Sequence, residues 1–340
     1  MTPRKRLALT CIGLFLVSWL FFLVLIQVPP KQNFDEFHYV PSAKQFLELR
    51  ENQNWEHPPL GKELMAIGIG LLGDRPLGWR FMSTVFGALT LVGMYLWALA
   101  LFKNTRVAVW VAVITLVNHL LYVQSRIGML DTFMFAFLVW GLAAFTAAWS
   151  TQVALGRTWK LLLFAGAMFG LAVATKWAAI VAWVACLLLV LMLRLFQGWS
   201  ITFLKPTAAG PNSEEFYHPK LWSGLPAWKV ATALVLVPLA AYFATFLPFL
   251  AIERAPGAPP YTLWDLVLMQ PKMWDGQLRV VTAHPYMSTW LQWPLLKRPI
   301  WYAFDKEGGA NQWVRGVLLV GNPLIMWAGL SYGLALRYGL

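Results

Sequence analysis

Eight stretches of this 340-residue chain are long and apolar enough to cross a bilayer, at about 7–28, 79–102, 105–122, 131–150, 159–175, 177–198, 229–252 and 316–336. A spanning helix needs roughly 20 mostly apolar residues, because no backbone polar group can be left unpaired in hydrocarbon. With 59% hydrophobic and only 12% charged residues, the chain reads as one polytopic membrane domain over 1–340, all-α in class. Only Lys176 and Trp177 separate the fifth run from the sixth. The first run follows Arg4-Lys5-Arg6 and ends at Pro29-Pro30. It is too long for a secretory signal and no small-residue cleavage site follows, so an uncleaved signal anchor is expected.

Basic residues set the expected topology. With the N-terminus inside, the inner segments hold Arg4, Lys5, Arg6, Lys103, Arg106, Arg157, Lys160, Arg194, Lys205, Lys220, Lys229 and Arg337 against Glu214 and Glu215. That side carries +10 of the formal +12, as the positive-inside rule requires. The basic balance is thus a topology signal, and nucleic acid is not expected as a partner. Cys11 and Cys186 fall inside apolar runs, which leaves no disulfide framework and no cysteine-based metal site.

Two expected outer loops, about 29–78 and 253–315, are too long to be turns. Long loops in compact domains tend to carry function. In the first, Leu60, Leu64, Ile67 and Leu71 recur at helical spacing, and Ala43, Phe46 and Leu47 suggest a second short helix. Both are expected to lie flat in the interface. The second loop is rich in Trp, Tyr and Pro, which suits the headgroup zone and equally suits sugar rings or a polyprenyl tail. The inner loop, about 199–228, carries no motif.

Carboxylates are scarce, 15 Asp and Glu in all, yet Asp35 and Glu36 stand side by side after the first run. Phe34, Phe37 and Tyr39 surround them. A carboxylate partly desolvated by aromatic rings holds its proton more tightly unless paired, which suits a general base that takes a proton from a hydroxyl. Two solvated interface charges are the plainer alternative. Arg80, Arg126, Asp131 and Lys176 lie at or inside membrane depth, where ionisable groups mark functional positions. Arg126 and Lys176 could hold an anionic phosphate, or Arg126 and Asp131 could pair with each other, and Arg80 could snorkel to the interface. Lys62 is a further candidate for a phosphate oxygen. Glu56, His57, Asp35 and His284 could together hold a divalent metal, but their spacing is not diagnostic. No glycine-rich phosphate loop or dinucleotide fingerprint is present. A lipid-linked sugar therefore fits better than a soluble nucleotide sugar, and no cofactor is required.

Several segments together resemble the protein O-mannosyltransferase family. They are Phe34-Asp35-Glu36, Glu56-His57-Pro58-Pro59-Leu60-Gly61-Lys62, Arg126-Ile127-Gly128-Met129-Leu130-Asp131, Ala174-Thr175-Lys176-Trp177, His284-Pro285-Tyr286, Trp293-Pro294-Leu295-Leu296-Lys297-Arg298-Pro299 and Gly321-Asn322-Pro323. Their order is the family's order. The resemblance implies a GT-C fold of about eight transmembrane helices, with two structured non-cytoplasmic loops carrying interfacial helices. It implies inverting transfer of a sugar, typically mannose, from a polyprenyl or dolichyl phosphate to a Ser or Thr hydroxyl of an exported protein. Asp35 matches the family's catalytic acidic position and Glu36 the neighbouring acidic position, near the acceptor. By analogy Arg126 and Lys176, with Lys62 and Arg80 as further candidates, would meet the donor phosphate. Glu56, His57, His284, Tyr286 and Trp290 would line the acceptor or sugar. Related GT-C enzymes that modify lipid A or envelope glycans remain an alternative, as does a transporter or lipid flippase. The expected location is the bacterial cytoplasmic membrane, with the site on the non-cytoplasmic face. Family members usually carry further helices after Gly321-Asn322-Pro323, whereas this chain stops at Leu340, so a short variant, a fragment and a second chain supplying those helices are the alternatives.

Overall fold

The structure is a computed structural model that describes residues 1–149, 154–195, 221–222, 224–252, 254, 258–279, 287–307 and 313–338. Its frame is a bundle of long apolar helices: α1 (Pro3–Leu23), α4 (Pro76–Phe102), α7 (Leu130–Ala147), α8 (Leu155–Thr175), and α9 (Ile180–Leu195), which a single 3-10 turn, Trp177–Ala179, precedes. A sixth span runs from Ala227 to Ala251. Among the described residues these six are long and apolar enough to cross a membrane, and the chain is an integral membrane protein.

Two of the eight expected runs are built differently. The run at 105–122 breaks into α5 (Thr105–Leu116) and α6 (His119–Gln124). Asn118 is the cause: its side chain accepts the Leu120 N–H at 3.0 Å and starts a new helix. The run at 316–336 is not one helix. Residues 316–319 belong to a strand, and α13 (Pro323–Tyr338) begins after Asn322, whose side chain accepts the Leu324 N–H. A proline at the first helical position sets that start.

Small residues let the helices close. In α8, Gly166 and Gly170 face the sixth span, where an added Cβ would lie 1.9 Å from the Ala233 carbonyl oxygen and 2.2 Å from that of Pro238. A Gly-x-x-x-Gly spacing of this kind brings membrane helices into backbone contact. The same span contains a π turn at Thr232–Leu236, directly before α11 (Val237–Ala244), which absorbs the missing N–H of Pro238.

The loops gather over one end of the bundle, where α1 and α8 finish and α4 and α7 begin. The first loop holds α2 (Glu36–Leu47) and α3 (Leu60–Leu72). Met65 and Ile69 of α3 are buried against the core, while Ile67 and Leu71 are exposed. Both faces of α3 are therefore apolar, which suits a helix between protein and lipid. The second loop holds α12 (Leu263–Leu278) and a hairpin of β1 (Ile300–Glu307) and β2 (Trp313–Leu319). The hairpin is a departure from the all-α expectation. Its register slips between Trp301 and Ala303, leaving Tyr302 as the extra residue of a bulge. Every carboxylate residue among those described lies at this end or in its loops, whereas the opposite end holds Arg4, Lys5, Arg6, Lys103, Arg106, Arg157, Lys160, Arg194 and Lys229.

Candidate active site

The Asp35-Glu36 pair separates into two environments. Phe34 takes φ 52°, a left-handed conformation that costs a non-glycine residue roughly 1–2 kcal/mol. The chain turns sharply there, and α2 begins on the next two residues. Glu36 points into the protein and is 0% exposed. Its carboxylate accepts four hydrogen bonds: from Arg80 Nε at 2.8 Å and Nη2 at 2.9 Å, from the Gly128 N–H at 2.8 Å and from the Asn33 N–H at 3.0 Å. Arg80 is equally saturated, since Nη1 donates to the Ile26 and Pro29 carbonyls and Nη2 to that of Lys31. The pair pins the chain after α1, the start of α2, the start of α4 and the Arg126–Asp131 segment to one point. Gly128 allows this close approach: a Cβ there would sit 3.3 Å from the Glu36 carboxylate, a tight contact against a side chain held by four hydrogen bonds.

Asp35 points the other way and is half-buried. Tyr39, one turn along α2, donates its hydroxyl to Asp35 Oδ2 at 3.2 Å. Lys176, at the end of α8, is ion-paired with Asp131 at the start of α7, with Nζ 2.9 and 3.0 Å from the two carboxylate oxygens. Lys176, Asp131 and His38 all act on Asp35 through their charge. Burial raises the Asp35 carboxyl above its ordinary range, against the pull of Tyr39, Lys176 and His38. Burial also raises the Tyr39 hydroxyl, so it stays a proton donor. The cluster thus holds a partly desolvated carboxylate, a lysine cation at a helix end and a fixed tyrosine. A proton can leave a bound hydroxyl for Asp35 while Lys176 meets negative charge building on the group that the hydroxyl displaces.

The hairpin covers this cluster. Tyr302 stacks on Phe34 with ring centroids 4.4 Å apart and accepts a hydrogen bond from Gln124 at 2.9 Å. Lys31 and Asp305 make a second tie, 2.5 Å long, between the two loops. Bulges often re-aim a side chain beside a site, and this one turns Tyr302 inward. Neither Tyr302 nor Gln124 carries a motif of its own; the bulge that joins them exists only in the paired strands.

On the other side of Tyr39 lies His57, in edge contact at 6.0 Å. Burial drives its imidazole down to about 4, so the ring is neutral at neutral pH. His57 lines a cavity of about 400 Å³ between the first loop and α12, whose floor includes Trp55, Phe249 and Tyr261 and whose rim carries Glu51, Lys272, Asp275 and Arg279. Lys62 does not reach this space. It is 0% exposed and its ammonium group donates to the carbonyls of Asn54 and His57, the latter at 2.8 Å, so it clamps the loop from within. The Glu56 carboxylate accepts from Asn54, and its carbonyl accepts from Gln277 of α12.

Other expected site residues stand apart. Arg126 bonds Tyr122 and the Val24 carbonyl, and Asp131 pairs with Lys176 in place of Arg126. Trp290, on a 3-10 turn, is 68% exposed. His284 and Tyr286 lie outside the described residues. Among the described residues no group of three or more His, Cys, Asp or Glu side chains could hold a metal ion.

The family profile described as dolichyl-phosphate-mannose-protein mannosyltransferase matches residues 56–208. A second, the C-terminal four TMM region of protein-O-mannosyltransferase, matches residues 262–336. A polyprenol-phosphate-mannose–protein mannosyltransferase of Mycolicibacterium smegmatis is 27% identical over 351 residues, covering 86% of this chain. The chain spans 63% of the length of that relative. Among solved structures, the S. cerevisiae protein O-mannosyltransferase Pmt1-Pmt2 complex bound to the sugar donor has a TM-score of 0.57 at 23% identity, covering 74% of this chain and 35% of that one. ArnT from Cupriavidus metallidurans bound to undecaprenyl phosphate has a TM-score of 0.53 at 16% identity, covering 78% and 42%. The fold is therefore GT-C. With two profiles of one family matching in order along residues 56–208 and 262–336, the chain belongs to the protein O-mannosyltransferase family.

Proposed function

We propose that this chain moves mannose from a polyprenyl-phosphate carrier to a Ser or Thr hydroxyl of an exported protein. The observation that carries the reading is the half-buried Asp35, raised in proton affinity and set beside the Lys176–Asp131 pair. Asp35 takes the proton of the acceptor hydroxyl. The freed oxygen attacks the anomeric carbon from the face opposite the phosphate, the carbon–oxygen bond to phosphate breaks, and its electron pair stays on the phosphate. Lys176 meets that charge. The sugar–phosphate bond supplies the driving force, so no nucleotide enters. Glu36 and Arg80 are positioning residues, and Lys62 positions the His57 loop. The cavity lined by His57, with aromatic walls and a charged rim, is the acceptor side. Trp290, exposed on the second loop, anchors that loop in the interface.

Charge supports the orientation. The end remote from Asp35 carries Arg4, Lys5, Arg6, Lys103, Arg106, Arg157, Lys160, Arg194 and Lys229 with no carboxylate among the described residues, and such an end faces the cytoplasm. The site then faces outward, across the bacterial cytoplasmic membrane. The test is reconstitution of the full chain in vesicles with polyprenyl-phosphate-mannose and a Ser/Thr peptide. Mass spectrometry should show one hexose on the peptide and free polyprenyl phosphate in the lipid. Movement of the lipid across the bilayer with no hexose on the peptide would replace this reading with a transporter.

A further inference from the structure

A second cavity, of about 210 Å³, lies between the end of α1, α6, the start of α4 and β2. Asp35, Asp131 and Lys176 do not line it; Arg126, His119, Tyr122, Asn33, Tyr302 and Leu318 do. The Phe34–Tyr302 stack divides it from the Asp35 cluster. Arg80 also borders it, but all five Arg80 N–H groups are committed to Glu36 and three carbonyls.

Arg126 is different. Its Nη atoms reach the Tyr122 hydroxyl and the Val24 carbonyl, and its guanidinium lies 4.7 Å above the Tyr122 ring. Among the described residues no carboxylate lies within ion-pair distance of it. Its Nε is buried and has no hydrogen-bond partner, and the same holds for His119 Nδ1. A buried polar atom without a partner is costly, most of all on a charged group. Both residues line one cavity, and a guanidinium there with no carboxylate partner calls for an anion with several acceptor oxygens. Phosphate has that chemistry.

The surroundings name its carrier. Phe21, Val24, Leu25, Val28 and Leu120, next to the cavity in α1, its following turn and α6, are exposed apolar side chains on a membrane-spanning protein. A group reaching Arg126 from that side arrives with hydrocarbon attached. We propose that the Arg126–His119 cavity binds the phosphate of an anionic bilayer phospholipid, as a headgroup site separate from the one that takes the donor.

The test is native mass spectrometry of the full chain in detergent with added phosphatidylglycerol, on wild type and the variants Arg126→Gln, Leu318→Trp and Lys176→Gln. Leu318→Trp fills the cavity and leaves the charge in place. The expected result is one retained phosphatidylglycerol on wild type and on Lys176→Gln, and at least about tenfold less on Arg126→Gln and Leu318→Trp, as for loss of one charge-assisted hydrogen bond. Phosphatidylcholine, which has no net charge, should be retained about tenfold less by wild type. Equal retention by all variants, or equal retention of the two lipids, overturns the proposal. Loss of the lipid in Lys176→Gln would place it in the catalytic cluster and also overturns it. Displacement by millimolar inorganic phosphate would show a site for the free ion instead. None of these readouts depends on sugar transfer, so the result stands apart from the assignment of Asp35.

Discussion

Asp35 and Glu36 are neighbours in sequence and opposites in space. Glu36 is fully buried, makes four hydrogen bonds and faces a guanidinium that has no N–H to spare. Asp35 is half-buried, has one side-chain partner and shares the field of a lysine that Asp131 already holds. On the proposed reading, the number of unspent hydrogen bonds, more than charge or position, separates the carboxylate that holds the fold from the one assigned as the base. A saturated ion pair resists change; an under-satisfied one is free to take a proton.

The comparison breaks most sharply at Arg80. Arg80→Met should lower stability by about 3–5 kcal/mol, because it strands a buried carboxylate. The Arg80→Met/Glu36→Leu double variant should recover much of the loss in a detergent melting experiment. If the single variant melts like wild type, the pair is not the staple described.

Lys176→Gln comes next. It should lower sugar transfer by roughly 10²–10³-fold, as for loss of one group aimed at developing charge, with little change in melting temperature. A fall in stability with transfer intact would make Lys176 a structural residue like Arg80.

His57 sharpens the comparison through pH. Its imidazole titrates near 4 when folded and near 6.5 when unfolded. The unfolded chain therefore binds the proton first as pH falls. Stability should drop between about pH 6.5 and 4 by up to about 3 kcal/mol, then level off, and a His57→Gln variant should lose that slope in a pH series of melts. Asp35 titrates with the opposite sign: its raised folded value means that its ionisation above the usual carboxylate range lowers stability.

The smallest effect is expected at the hairpin. Tyr302→Phe removes one hydrogen bond to Gln124 and should cost about 1 kcal/mol. Tyr302→Ala, which also loses the Phe34 stack, should raise KM more than it lowers kcat. Equal KM values in the two variants would show that the hairpin does not hold the cover in place.

Much of this was legible in sequence because membrane chains tolerate few charges. Asp35, Glu36, Arg80, Arg126, Asp131 and Lys176 stand out for that reason alone. Their pairing was not legible. Glu36 meets Arg80 44 residues on and Gly128 92 residues on, and no local pattern encodes which carboxylate a distant arginine will choose. Lys62 reads in sequence as a candidate for a phosphate oxygen, yet it folds back under its own loop, within eight residues. The hairpin was hidden because Gly316-Val317-Leu318-Leu319 is as apolar as the helix that follows, and a short apolar run reads equally as strand or helix.

The most direct measurement is sugar transfer by Asp35→Asn, scaled to folded protein by a melting curve on the same sample. Asp35→Asn should lose about 10²–10⁴-fold in rate while melting at the wild-type temperature or slightly above it, since a destabilising buried charge has gone. Transfer within a few-fold of wild type would contradict the assignment of Asp35 as the base.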